Sequence, residues 1–296
     1  MTDEAYVTTL LTGLRAIKDF KPQLGKGKGV SLKEFQSLYA ADPLYHWMGF
    51  DSELMYAAHR ASGAMTSLYR NLGTGCEHLI QRILSDRLKL TAEQLKWEYV
   101  VGEEAFEGAP EPIVHPANIA EVAGAAEDIP EEPADGKAKG KKNSLDARID
   151  LADLKSKEDA DRIRKWLERL KADRKVTWEP VGAVFEVRQG YKSMDAKRQA
   201  ADIANAAQAL ARQRLPVLLI VSNQIDDNLI RRYGLSGWGI LRGIIKPLPG
   251  HDDALQSTYA FLEQVVDYDL QAFFERNQKQ IRQEVHSILE TLLRPP

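Results

Sequence analysis

Apolar positions alternate along residues 181–188, and this alternation predicts a β-strand. One face of the strand would be wholly apolar, with Val181, Ala183, Phe185 and Val187. The other face would carry Val184 together with Glu186 and Arg188. Two charged side chains within an apolar strand are costly unless they pair with each other or bind a metal ion, so this strand is a candidate site.

The segments around this strand predict an α/β fold. Residues 143–154 also alternate, and they predict a strand whose polar face carries Asp146 and Asp150. Residues 215–222 are almost continuously apolar, which is typical of a strand buried on both faces. Helical spacing predicts helices at about 157–172, 194–212 and 226–233, and short strands are predicted at 176–178 and 238–245. We therefore predict a mixed central sheet that helices flank on both sides.

The two ends of the chain predict further helices. Near the N-terminus, apolar spacing predicts helices at 5–20, 32–41 and 51–69. Gly73 and Gly75 then predict a break, with Thr74 as the cap of a core helix at about 74–89. Residues from 252 to 293 predict one or two C-terminal helices.

Composition divides the chain into four parts. Residues 102–143 are rich in Glu, Ala, Pro and Gly, and we expect an excursion or linker there. It would separate a helical N-terminal region at 1–101 from an α/β core at 144–250, followed by C-terminal helices at 251–296. Residues 101–136 hold ten acids and no Lys or Arg, so without them the formal net charge of −3 becomes +7. The remaining basic clusters indicate either solvated helix faces or a nucleic-acid partner.

Several classes of protein are excluded by composition. No run approaches 18 apolar residues, so we expect no membrane span. Cys76 is the single cysteine, which excludes an internal disulfide framework, and no Cys/His cluster has zinc spacing. The first residues lack the pattern of a secretory signal, and we expect a cytoplasmic protein.

The acidic side chains of two predicted strands suggest a metal site. If these strands are neighbours, the carboxylate of Asp146 or Asp150 can converge with that of Glu186. Two carboxylates and a few waters suit Mg²⁺. A cation beside the metal, either Arg188 or Lys192, would stabilise the charge on an attacked phosphate. The alternative is a structural ion pair between Glu186 and Arg188.

This arrangement resembles the PD-(D/E)xK nuclease superfamily. By that resemblance, Asp146 and Glu186 fill the two acid slots that hold the metal, and Glu77 looks like the Glu that an upstream helix often contributes. The sequence departs from the pattern at the third slot, because Arg188 stands where the superfamily has lysine. Either Arg188 substitutes, or Lys192 reaches in from the following turn. Arg188 cannot act as a base because arginine stays charged, so Lys192 is the better candidate where proton transfer is needed.

The polar start of the next helix favours DNA as the partner. Ser193 lies near its start, followed by Lys197, Arg198 and Gln199, which could contact phosphates or read base edges. This run resembles type II restriction endonucleases, with ApaLI-like enzymes as the nearest comparison. The resemblance covers roughly residues 77–245.

This resemblance implies a restriction-endonuclease-like core and a specific activity. The expected reaction is the Mg²⁺-dependent, site-specific cleavage of double-stranded DNA, and the expected assembly is a homodimer that matches a palindromic site. One alternative is a repair or structure-specific nuclease of the same fold. Another is a non-catalytic DNA-binding protein whose Glu186–Arg188 pair is structural.

Overall fold

The computed structural model describes residues 2–23, 28–100, 142–190, 196–245 and 252–293, and it divides into two compact units. The first unit comprises residues 1–79 and 272–296, and the second comprises residues 80–271. The helices are α1 (Asp3–Arg15), α2 (Leu32–Ala40), α3 (Pro43–Trp47), α4 (Glu53–Leu88), α5 (Ala92–Leu95), α6 (Lys157–Asp173), α7 (Ala196–Ala211), α8 (Asp227–Leu235), α9 (Thr258–Gln264) and α10 (Leu270–Leu293). The strands are β1 (Trp97–Val100), β2 (Lys142–Leu145), β3 (Ala147–Asp150), β4 (Gly182–Arg188), β5 (Arg214–Ile220) and β6 (Gly239–Leu241).

The first unit is helical, as its sequence predicts. Helix α1 buries the apolar stripe of Tyr6, Val7, Leu10, Leu11 and Leu14. Helix α10 packs against α1. The ring of Tyr6 contacts that of Phe273 in an edge-to-face arrangement, at a centroid distance of 6.0 Å. Helix α2 begins at a capping box, in which Ser31 and Glu34 satisfy each other's backbone amides.

Helix α4 runs for 36 residues without interruption, so the predicted break at Gly73 and Gly75 is wrong. Thr74 therefore lies within the helix and caps nothing, and the predicted core helix at 74–89 is the last part of a longer one. The glycine at position 75 is explained by helix packing instead. A Cβ at Gly75 would lie 2.3 Å from the carbonyl oxygen of Leu10 on α1. The absent side chain thus allows α1 and α4 to approach closely.

The second unit contains the predicted mixed sheet, with strand order β3-β4-β5-β6. Strand β3 is antiparallel to β4, whereas β4, β5 and β6 are parallel. Strands β1 and β2 form a separate antiparallel pair. The predicted burial on both faces is confirmed for residues 215–220 of β5, whereas Val221 and Ser222 lie beyond the end of the strand and are half-buried.

Helices cover both faces of this sheet, which confirms the predicted flanking. On one face, Val184 and Leu218 belong to a core cluster that includes Ala206 of α7 and Leu229 of α8. On the other face, Phe185 packs between two aromatic rings. These are Trp166 of α6, at a centroid distance of 6.2 Å, and Phe261 of α9, at 5.6 Å.

Four details of the second unit differ from the expectation. The strand predicted over 143–154 is interrupted at Asp146 and ends at Asp150. Residues 176–178 form no strand, β6 ends at Leu241, and β1 lies in a region predicted to be mostly helical. None of the helices in the described ranges combines the length and apolar composition that a bilayer crossing requires.

Two glycines of α4 give a matched pair of substitutions. We expect Gly75→Ala to destabilise the first unit by roughly 1–3 kcal/mol, because the new methyl group would overlap the α1 backbone. We expect Gly73→Ala to be neutral or stabilising by up to about 1 kcal/mol, because its added Cβ meets no atom within 4 Å beyond its chain neighbours and the adjacent backbone of its own helix, and Ala favours a helix. Urea unfolding measures both values, and equal losses of stability would contradict the close approach at Gly75.

The buried Cys76 of α4 gives a second test. Burial raises the pKa of the Cys76 thiol to about 12, from an ordinary value of 9.0. Between these values the unfolded chain ionises first, so the thiol's contribution to stability falls as the pH rises from about 9 to 12. We expect the wild type to lose up to about 1.4 kcal/mol per pH unit more than Cys76→Ala there. Parallel pH profiles of the two unfolding free energies would contradict the burial.

Candidate functional site

The register of β3 and β4 places the two predicted acids at the same level of the sheet. Ala147 pairs with Phe185 in this antiparallel ladder, so the preceding residue, Asp146, stands opposite Glu186. The ladder ends there, and Oδ2 of Asp146 accepts a hydrogen bond of 2.6 Å from the backbone N–H of Val187. The side chain of Asp146 therefore continues the sheet where the main chain of β3 has bent away.

The bend at Asp146 is fixed from α4. Nε2 of Gln81, in the part of α4 that belongs to the second unit, donates a hydrogen bond of 2.7 Å to the carbonyl oxygen of Asp146. The Asp146 residue is thus held by its main chain on one side and by its carboxylate on the other. Such double attachment pre-organises a ligand or a catalytic group.

The carboxylate of Glu186 is buried and lies in an ionic network. It forms an ion pair with Arg188, whose Nη2 also lies 3.5 Å from Oδ1 of Asp202 on α7. The hydroxyl of the buried Tyr233 on α8 donates to Oδ2 of Asp202 at 2.7 Å. The network therefore ties β4 to the two helices that cover this face, and the guanidinium offsets part of the cost of burying two carboxylates.

Asp202 and Tyr233 were missed as site residues from the sequence. A signal exists for Asp202, because it is an isolated acid within the Ala-rich run of residues 200–207 of a predicted helix. Tyr233 has no comparable local signal, since its role depends on how α8 lies against α7.

The alternative first acid, Asp150, lies away from Glu186. Asp150 pairs with Gly182 in the ladder, four residues from Glu186 along β4, which corresponds to about 13 Å. Its carboxylate accepts two hydrogen bonds from the guanidinium of Arg214, at 2.8 and 2.7 Å. Asp150 is therefore engaged in a bidentate ion pair between β3 and β5, and Asp146 is the acid at the level of Glu186.

Gln199, predicted to contact DNA, is turned inward. Its side chain is buried, and Oε1 accepts a hydrogen bond of 2.6 Å from Nη1 of Arg232 on α8. In this position Gln199 joins α7 to α8 rather than facing solvent.

The remaining predicted residues stay predictions. Lys192 and Ser193 lie outside the described residues, and Lys197 and Arg198 belong to α7 but their side chains lie outside the description. Glu77 lies on α4 within the first unit, whereas Asp146 and Glu186 belong to the second.

The donor set at this level suits a hard cation with few protein ligands. Among the described residues, no three His, Cys, Asp or Glu side chains are grouped so that they could hold a metal ion. The acids here are Asp146 and Glu186, with Asp202 behind Arg188. Mg²⁺ keeps several waters and commonly binds through one or two carboxylates, so Asp146 and Glu186 fit it.

Comparisons with known proteins found no relative of this chain. The chain matches no protein-family model, no curated protein and no solved structure. Only its own residues and their arrangement therefore bear on function.

The buried hydrogen bond between α7 and α8 can be tested directly. We expect Tyr233→Phe to lower the free energy of unfolding by about 1–3 kcal/mol, because it removes a donor from the buried carboxylate of Asp202. Tyr69→Phe is the matched control, since that ring is 56% exposed and should change stability by less than about 0.5 kcal/mol. Urea unfolding followed by circular dichroism measures both, and equal values would argue against the network.

Proposed function

We propose that the chain is a Mg²⁺-dependent endonuclease that cleaves double-stranded DNA at specific sites, as type II restriction endonucleases do. The observation that carries this proposal is that β3 stops pairing with β4 at Ala147 and Phe185, after which the carboxylate of Asp146 accepts a hydrogen bond from the N–H of Val187, next to Glu186. In the superfamily that the sequence resembles, an acid on one strand and an acid-x-Lys triplet on the next hold the metal. The two strands here are hydrogen-bonded neighbours, which that assignment requires.

The charges around Glu186 also support a divalent cation. The carboxylates of Asp146, Glu186 and Asp202 lie close to the guanidinium of Arg188, and Glu186 is buried. Mg²⁺ keeps several waters and commonly binds through one or two such carboxylates. When bound, Mg²⁺ would activate a water and withdraw charge from the scissile phosphate.

The residues of the chain take distinct roles in this proposal. Asp146 and Glu186 would hold the metal, with Asp146 positioned by the N–H of Val187. Arg188 would neutralise charge that develops on the phosphate, and Asp202 would keep its guanidinium in place. Lys192 remains the proposed group for proton transfer, because Arg188 cannot give up its proton.

The proposed assembly is a homodimer on duplex DNA. A site-specific enzyme that cuts both strands needs one active centre for each strand, and a two-fold dimer supplies them in the symmetry of a palindromic site. In the same proposal, Lys197 and Arg198 at the start of α7 would contact DNA, and Glu77 would be an additional acid.

A second candidate is a DNA-binding protein without catalytic activity. The observation that favours it is the direct ion pair of Glu186 with Arg188, which already satisfies the buried carboxylate. In that case the network is structural, and Mg²⁺ has no role at Glu186.

Cleavage assays on matched variants separate these functions. With phage DNA and Mg²⁺, we expect discrete fragments from the wild type, and a loss of at least about a hundred-fold in rate from Asp146→Asn or Glu186→Gln. Asp150→Asn is the control, because its ion pair with Arg214 lies elsewhere in the sheet. It should lower stability but retain cleavage by the folded fraction.

Other results of the cleavage assay would support the alternative functions. A smear of fragments would indicate a less specific repair-type nuclease, and shifted but intact DNA would indicate the binding protein. Full cleavage by Glu186→Gln would refute the assignment of the active site.

A further inference from the structure

A second feature of the α/β unit lies apart from Glu186, beside the edge strand β6. It is a cavity of about 450 Å³, lined by residues of α6, α8 and β6 and by the segment before α9. Arg231 of α8 and Arg242, which directly follows β6, both contribute to its wall. These elements hold the cavity open without any contribution from the proposed nuclease residues.

The charged side chains of this cavity fall into two groups. Two of its acids are already neutralised, because Asp173 pairs with Arg174 and Asp252 pairs with Arg169 at 2.9 Å. The second group consists of Arg231, Arg242 and Asp227.

The side chains of the second group lack described partners, and they include more positive than negative charges. Within the described ranges, Arg231, Arg242 and Asp227 form no ion pair or side-chain hydrogen bond. Asp227 and Arg231 are four residues apart on α8, so they present the same face of that helix. Two guanidinium groups thus stand against one carboxylate. The three arginines and three aspartates of the lining balance, and the surplus of one positive charge arises because Arg169, outside the lining, pairs with Asp252.

Arg242, on the wall of this cavity, stands at the carboxyl end of a parallel strand. Leu219 pairs with Leu241 in the parallel ladder of β5 and β6, so Arg242 follows at the level of Ile220. Ile220 in turn pairs with Arg188, which places Arg242 two strands from Arg188, or about 10 Å away. Ligands of open α/β sheets bind outside the carboxyl ends of parallel strands, and Arg242 stands at such an end.

We propose that this cavity binds a phosphate group through Arg231 and Arg242. Guanidinium groups bind phosphate oxygens through paired, charge-assisted hydrogen bonds, and arginine is the residue best suited to that geometry. Asp227 is available to accept a hydrogen bond from a hydroxyl or amino group of the same ligand. The phosphate can come from a small molecule or from the backbone of DNA, and the cavity would bind it whether or not the chain cleaves DNA.

Thermal unfolding of the full chain with inorganic pyrophosphate, in buffer without divalent metals, tests the site. We expect the melting temperature of the wild type to rise with pyrophosphate concentration, because a ligand that binds the folded state stabilises it. Arg242→Gln and Arg231→Gln should each weaken binding by about ten-fold or more. Arg282→Gln on α10 is the matched control, since its exposed guanidinium has no described partner and lines no part of the cavity.

The unliganded variants should melt within about 2 °C of the wild type, because their side chains have no described partner to lose. A melting temperature that does not respond to pyrophosphate in the wild type would overturn the site. Equal weakening in Arg282→Gln would also overturn it, since the effect would then be one of overall charge.

A competition arm identifies the source of the phosphate. If a short DNA duplex displaces pyrophosphate and Arg242→Gln lowers the salt dependence of duplex affinity by about one unit of slope, the phosphate belongs to DNA. If pyrophosphate binds equally well with and without duplex, the site takes a small phosphorylated molecule. Failure of the cleavage assay leaves both readings of this experiment unchanged, so the two proposals fail separately.

Discussion

The buried ionic network on β4 constrains whatever this chain does. Glu186 and Asp202 cannot be left without compensation in the covered face of the sheet, so Arg188 is held between them. Any ligand of Glu186 must therefore share its carboxylate with Arg188 or move that guanidinium. If Arg188 moved, the carboxylate of Glu186 would lose its positive partner. A divalent cation could replace that positive charge, whereas a neutral ligand could not.

The main elements and the charged pair of Glu186 and Arg188 on β4 could be predicted because their signals are local. The alternation around Glu186 and the apolar run of β5 each report burial within a few residues. The choice between Asp146 and Asp150 could not be made in this way, since both have the same parity in the strand. Only the register against β4 separates them, and register depends on partners that are distant in sequence.

The wrong predictions share a physical cause, which is that tertiary packing overrides a local preference. Glycine is a poor helix former, yet α4 continues through Gly75 because α1 packs against its bare backbone. Asp146 interrupts a strand pattern that continues on both sides, because its side chain takes over a backbone hydrogen bond of the ladder. In both places the residue that breaks the local rule marks a close tertiary contact.

Arg188 and Arg242 show how neighbours decide what one type of side chain can do. They stand at the same level of the sheet, at the carboxyl ends of two parallel strands. Arg188 lies between buried carboxylates, so its charge serves the fold first and a substrate only as part of that network. Arg242 faces a cavity in which the nearby acids Asp173 and Asp252 already have partners, so its charge remains available for a ligand. The carboxyl ends of the strands can therefore carry both a tightly coupled ionic site at Arg188 and an independent anion site at Arg242. Salt and substitution should affect the two sites differently, because only Arg188 is paired with buried carboxylates.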